Sequence, residues 1–182
     1  MTEFTQNAYA KINLSLDVLS KRADGYHNVS MVMHQVSLAD TVTLRPLEQE
    51  GIQLTSDSAQ IPHDEKNIAF RAAQLMLNRF GIHHGIHIHI HKEIPVAGGM
   101  AGGSTDAAAV ICLLNQAFQL DLSKETLMSL ALELGADVPY CIFARPALAE
   151  GIGENLTEIC GLPPCKIVIV NPNIEISTKE IY

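Results

Sequence analysis

Apolar and polar residues alternate from Ala10 to Leu19, the period of two that a half-buried strand requires. Lys21 to His27 breaks the pattern and reads as a turn hinged at Asp24-Gly25. Alternation resumes over Asn28–Ser37 and Thr41–Leu44, predicting two further strands, with a short one over Gly51–Thr55. The period then changes. Ile68, Ala72, Leu75, Met76 and Phe80 recur at helical spacing between Asn67, a good N-cap, and Gly81, a residue suited to the position after a helix. Gly85–His91 alternates strictly and predicts a strand. Helices are expected from about Gly103 to Phe118 and from the N-cap Ser123 to about Leu134, and strands at Ala147–Glu150 and Ile167–Val170. A β-rich opening, then strand, loop and helix, then more of both, makes a mixed α+β chain without internal repeats or low-complexity linkers.

Composition narrows the functional classes. The 182 residues suffice for a core, and 47% are hydrophobic, yet no apolar run approaches membrane-spanning length. Met1-Thr2-Glu3-Phe4 lacks the basic-then-apolar pattern of a signal peptide, so a cytoplasmic protein is expected. A net charge of −8 argues against non-specific nucleic-acid binding, which needs a basic surface. It leaves room for a phosphorylated ligand held by a few cations and backbone N–H groups. Cys112, Cys141, Cys160 and Cys165 form no C-x-x-C pair, so free thiols are expected rather than a zinc site.

The segment Pro95-Val96-Ala97-Gly98-Gly99-Met100-Ala101-Gly102-Gly103-Ser104-Thr105-Asp106 carries the strongest chemical signal. It joins a strand to a helix. Its two glycine pairs allow close backbone approach, and the helix start adds a positive dipole end, so the segment reads as a phosphate cradle. Ser104 and Thr105 add hydroxyls that could reach a phosphate oxygen or a metal-bound water. A Cβ at Gly102 is expected to fill space that the cradle needs bare. There is no Gly-Lys-Ser/Thr and no G-x-G-x-x-G, which removes the Walker A, dinucleotide and protein-kinase patterns. The alternative is a tight turn that serves packing alone.

Other positions are read against plainer alternatives. Asp137 sits between Ala136 and Val138-Pro139, an apolar setting for a general base, or a carboxylate that merely caps a turn. Lys11 lies on a strand, where a lysine is most often a solvated charge, and Asn13 shares its face. Tyr26 and His27 follow a glycine turn. They suit stacking on a base and bonding to its edge, or the packing of a hairpin end. His87, His89 and His91 share one strand face and are expected to face water while Ile86, Ile88 and Ile90 face the core.

Residues 95–106 resemble the phosphate-binding motif of the GHMP kinases. Ala10-Lys11-Ile12-Asn13-Leu14, Arg22-Ala23-Asp24-Gly25-Tyr26-His27 and Leu134-Gly135-Ala136-Asp137-Val138-Pro139 are similar to motifs of one branch of that family. This branch phosphorylates the 2-hydroxyl of a cytidyl diphosphate substrate in the non-mevalonate isoprenoid pathway. The resemblance runs from about Tyr9 to Tyr182. It implies a GHMP-type N-terminal domain (ribosomal protein S5 domain 2-like) over residues 1–163, with a left-handed β-α-β element, and the start of a C-terminal domain over residues 164–182. It also implies ATP bound at Pro95–Thr105, with Mg²⁺ held largely by phosphates and water, and Lys11 paired with a catalytic Asp137. Asn13, Tyr26, His27, Thr178 and Tyr182 would contact the substrate, the aromatics enclosing cytosine.

Ser177-Thr178-Lys179-Glu180 is a capping box announcing a helix, and the family's third glycine-rich motif is absent, so the chain reads as truncated. Little activity and some self-association through Ile167–Val170 are therefore expected. Another GHMP kinase substrate, such as homoserine, mevalonate or a sugar, remains an alternative. So does a catalytically incomplete nucleotide-binding fragment.

Overall fold

The computed structural model describes residues 3–172. β1 (Phe4–Lys21) and β2 (His27–Leu47) form a long antiparallel hairpin closed by Gly25 in the left-handed region, φ +87°. β2 is one strand of 21 residues where the pattern predicted two. The pattern lapses where the pairing jumps from Tyr9 opposite Ala39 to Lys11 opposite Gln35, so a bulge in β2 lets the strand continue through the break.

The other edge of β2 serves two neighbours. Residues 41–47 pair with β4 (Gly85–His91) and residues 29–33 with β5 (Ala147–Gly151), which in turn pairs with β6 (Asn155–Glu158). β3 (Ile52–Ser56) lies parallel to β4, with α1 (Ile68–Phe80) as the crossover. The sheet order is β3-β4-β2-β5-β6, with β1 on the remaining edge of β2. Ile86, Ile88 and Ile90 are fully buried, and Thr55 Oγ1 contacts ring nitrogens of both His87 and His89 on the opposite, polar face.

α2 (Gly102–Ala117) is the central helix. Thr105–Ile111, Leu113 and Leu114 are all buried, facing the sheet on one side and α1 on the other. α3 (Lys124–Leu132) follows, with the Ser123 hydroxyl accepting from Thr126 N at 3.2 Å. A six-residue α4 (Val138–Phe143) was not expected; it is short, and Asp137 read as a turn residue. β6 was also unforeseen. Residues 167–170, predicted as a strand, have no strand pairing here. Val168 and Val170 are 88% and 84% exposed, and alternation alone does not make a strand without a partner edge. All four cysteines are free, with Cys160 and Cys165 exposed.

Candidate active site

The glycine loop runs from the end of β4 to the start of α2. Ala97, Gly99 and Ala101 have φ of +58°, +73° and +57°, and the residues between them do not have positive φ. Such alternation is the backbone pattern from which N–H nests are built, and within the loop the Gly98 N–H donates to Pro95 O at 3.2 Å. Two of the three are alanines, which the left-handed region strains by roughly 1–2 kcal/mol each. Alanine gives no sequence signal for such a backbone.

The loop is stitched to β1 at several points. Lys11 N donates to Met100 O at 3.1 Å, and the Met100 side chain is buried with Ala10 and Ile94. The Thr105 hydroxyl, expected to reach outward to a ligand, turns inward and donates to Tyr9 O at 3.0 Å. Ser104 remains half-buried at the first turn of α2. The missing Cβ of Gly102 also faces inward. A Cβ there would lie 3.1 Å from Ile94 Cγ2 and 3.2 Å from Lys92 Nζ, a tight fit that those side chains would have to yield to by a few tenths of an ångström. At Gly99 a Cβ would meet nothing within 4 Å, and this is the open side of the loop.

These stitches place Lys11 beside the loop. Its side chain is 6% exposed, and its ammonium lies 3.6 Å from Asp137 Oδ1 and donates to Asn13 Oδ1 at 3.3 Å. Asp137 immediately precedes α4 but makes no capping bond with its side chain. Its carboxylate is 39% exposed and open to a ligand, which sets aside the capping alternative. Lys11, Asn13 and Asp137, far apart in sequence, thus form one cluster. Cys141, one turn along α4, donates its thiol to Asp137 O; burial first, and the nearby Asp137 charge second, push the thiol up to about 12 and keep it protonated.

Tyr26, 58% exposed, and His27 stand at the far tip of the same hairpin, where Lys21 pairs with His27. Register shifts between Asn13/Ser15 and Val18/Ser20 interrupt the pairing between Lys11 and that tip. Thr178 and Tyr182 lie outside the described residues. Beside the cluster, Gln6, Tyr9, Gln35, Thr105, Cys141 and Ala144 help line a cavity of about 360 Å³.

Under the loop lies a charge cluster that the sequence analysis missed. Lys92, 6% exposed, donates to Asp40 Oδ2 and, at 2.9 Å, to Asp106 Oδ2; both carboxylates are buried. Asp40 Oδ1 accepts from Glu93 N at 2.7 Å and Ile94 N at 2.8 Å. Asp106 Oδ1 has no partner. The available signal was Asp106 itself, the one charged residue from Gly103 to Phe118. Such a group must find a partner once its helix is buried.

With two carboxylates and one ammonium, one negative charge is in surplus. Burial opposes the charge on Lys92, but the two carboxylates outweigh it and the ammonium is held above its usual range. Burial pushes Asp106 up to about 7, against the pull of Lys92 and with the repulsion of Asp40. The fold therefore holds this proton more tightly than the unfolded chain does. The stability it confers is complete below the ordinary carboxylate value of 3.8 and fades as pH rises to about 7. Asp106→Asn, which is neutral throughout, is expected to show a smaller fall in Tm between pH 5 and pH 8 than the wild-type protein. Equal falls would mean that Asp106 stays ionised.

Residues 67–145, from the N-cap of α1 to just past α4, match the family described as GHMP kinases N terminal domain. The particular relatives the chain resembles are called 4-diphosphocytidyl-2-C-methyl-D-erythritol kinase. The protein of that name from Caldicellulosiruptor bescii is 49% identical, over 96% of this chain and 61% of its own. The one from Clostridioides difficile is 53% identical, over 95% of this chain and 59% of its own. The chain thus spans about three-fifths of the length of these relatives. A crystal structure of 4-(cytidine 5'-diphospho)-2C-methyl-D-erythritol kinase superposes with TM-score 0.75 at 38% identity, over 88% of this chain and 56% of that one. Homoserine kinase from Cytophaga hutchinsonii shares the fold, with TM-score 0.65 at 22% identity over 94% of this chain and 58% of its own.

Proposed function

We propose that this protein takes part in the ATP-dependent phosphorylation of the 2-hydroxyl of 4-diphosphocytidyl-2-C-methyl-D-erythritol, a step towards isoprenoid precursors. The observation that carries the reading is the Lys11–Asp137 pair, 3.6 Å apart, beside a glycine nest on a chain about half identical to kinases of that name. Bound ATP supplies the phosphoryl group, and Mg²⁺ carried on its phosphates supplies charge neutralisation. The nest and the amino end of α2 hold phosphate through backbone N–H groups. Among the described residues no three His, Cys, Asp or Glu side chains come together as a metal cage.

Asp137 Oδ1 takes the proton of the acceptor hydroxyl. The Lys11 ammonium stabilises the developing alkoxide. Asn13, bonded to Lys11, orients the acceptor. Tyr26 and His27 at the hairpin tip bind the cytosine. No helix among the described residues is long and apolar enough to cross a membrane, and the phosphorylated, water-soluble reactants suit a cytoplasmic reaction. The net charge of −8 supports a small-molecule role rather than nucleic-acid binding. The exposed Val168 and Val170 support self-association through that segment.

Turnover with the cytidyl substrate, compared with mevalonate and homoserine, tests the reading; phosphorylation of either alternative instead would replace it. Within that assay, Tyr26→Ala is expected to weaken the cytidyl substrate by about 1–3 kcal/mol, the worth of one base stacked on an aromatic, and to leave ATP affinity alone. Equal weakening of both ligands would trace the effect to the fold.

A further inference from the structure

The buried ion cluster under the loop takes no direct part in the phosphoryl transfer proposed above. Its connections are unusual for an ion network that serves only the core. Asp40 holds the backbone of Glu93 and Ile94, the last residues before the glycine loop. Asp106 lies on α2, just beyond the loop. Lys92 Nζ joins the two carboxylates and sits 3.2 Å from where a Gly102 Cβ would be, directly against the first turn of α2. Both stems of the loop are therefore tied to one ammonium, and through Asp40 to β2. Residues 95–101 span the gap between two anchored points.

The cluster holds one carboxylate more than its single ammonium can neutralise. An apolar residue in place of Asp106 would leave Lys92 and Asp40 as a neutral pair. Replacing a whole buried ion cluster by apolar residues is often neutral or stabilising, and removing one member is costly only where it strands a partner's charge; here the pair left behind is neutral. What the carboxylate adds is a fixed span between the loop stems.

We infer that Asp40, Lys92 and Asp106 form a positioning clamp that sets the width of the phosphate nest and so the affinity for a nucleotide triphosphate. Asp106 acts through Lys92 and the loop backbone and touches no reacting atom. The inference rests on the reading of Pro95–Thr105 as the nucleotide loop.

The test is calorimetric titration of Mg-ATP into the wild-type protein, Asp106→Leu and Asp106→Asn, with Tm measured for each. Asp106→Leu removes the tie without leaving a surplus charge. It is expected to fold with Tm equal to or above wild type and to bind Mg-ATP about tenfold more weakly, the loss of one charge-assisted hydrogen bond in the clamp. Asp106→Asn keeps an oxygen for Lys92 and should restore affinity to within about threefold of wild type, since a neutral acceptor retains most of that bond. Wild-type affinity in Asp106→Leu would overturn the clamp and leave the nucleotide reading standing. Loss of affinity in Asp106→Asn equal to that in Asp106→Leu would also overturn it. If leucine overpacks the site and the protein does not fold, Asp106→Ala takes its place with the same two outcomes. Absence of Mg-ATP binding by the wild-type protein would remove the nucleotide reading and the clamp together.

Discussion

Asp137→Asn is expected to lower the rate of phosphoryl transfer by about a hundredfold to ten-thousandfold, the usual loss when a general base is removed. Nucleotide affinity should remain nearly unchanged. The structure supplies the grounds for separating the two effects. Asp137 makes no capping bond to α4, is 39% exposed, and its carboxylate engages Lys11 at 3.6 Å, so an isosteric amide disturbs neither helix nor loop. Lys11 keeps its bond to Asn13. What changes is the ability to accept a proton next to the acceptor hydroxyl. Steady-state turnover with saturating Mg-ATP, alongside calorimetric affinity, checks this. Near-normal turnover would remove Asp137 from the base role and leave it a partner that holds Lys11 in place. A parallel loss of nucleotide affinity would instead show that Asp137 supports the loop.

The elements legible in the sequence are those whose boundaries are set by neighbouring residues. α1 begins where expected because the Asn67 side chain accepts from Ala69 N at 2.9 Å, and it ends where expected because Gly81 adopts φ +60° and ψ +39°. β4 shows itself by strict alternation of isoleucine and histidine, and the isoleucines are buried as expected. Where distant residues decide, the reading fails. The break at Leu38–Asp40 in β2 is bridged by a bulge facing β1, and the buried Asp40 is accommodated by Lys92 from the end of β4. Residues 167–170 have a strand's pattern and pair with no strand among the described residues. The same division runs through the site. The glycine loop announces itself locally. The meeting of Lys11 with Asp137 came from family resemblance, since nothing near either residue points to the other. The clamp came from neither, because its members are single charges in three separate segments.

Gly99→Ala and Gly102→Val should both weaken Mg-ATP binding strongly, but for different reasons that stability measurements separate. At Gly102 the added side chain meets Ile94 and Lys92 at once, 3.1 Å and 3.2 Å from the Cβ alone. The two further methyls of valine overpack the site, at a cost of roughly 1–3 kcal/mol, and push the first turn of α2 off the clamp. Lower Tm and lower affinity should therefore appear together. At Gly99 the Cβ enters open space on the exposed side of the nest. Alanine at φ +73° strains the backbone by roughly 1–2 kcal/mol and clashes with nothing in the protein. It does occupy the volume into which a phosphate must come to reach the N–H groups. Displacing two charged hydrogen bonds of about 1.5 kcal/mol each weakens binding on the order of a hundredfold. Differential scanning calorimetry and titration calorimetry on the same samples distinguish the cases. Wild-type affinity in Gly99→Ala would mean that no ligand approaches this face, and that the paired glycines serve only the packing of α2 against the end of β4.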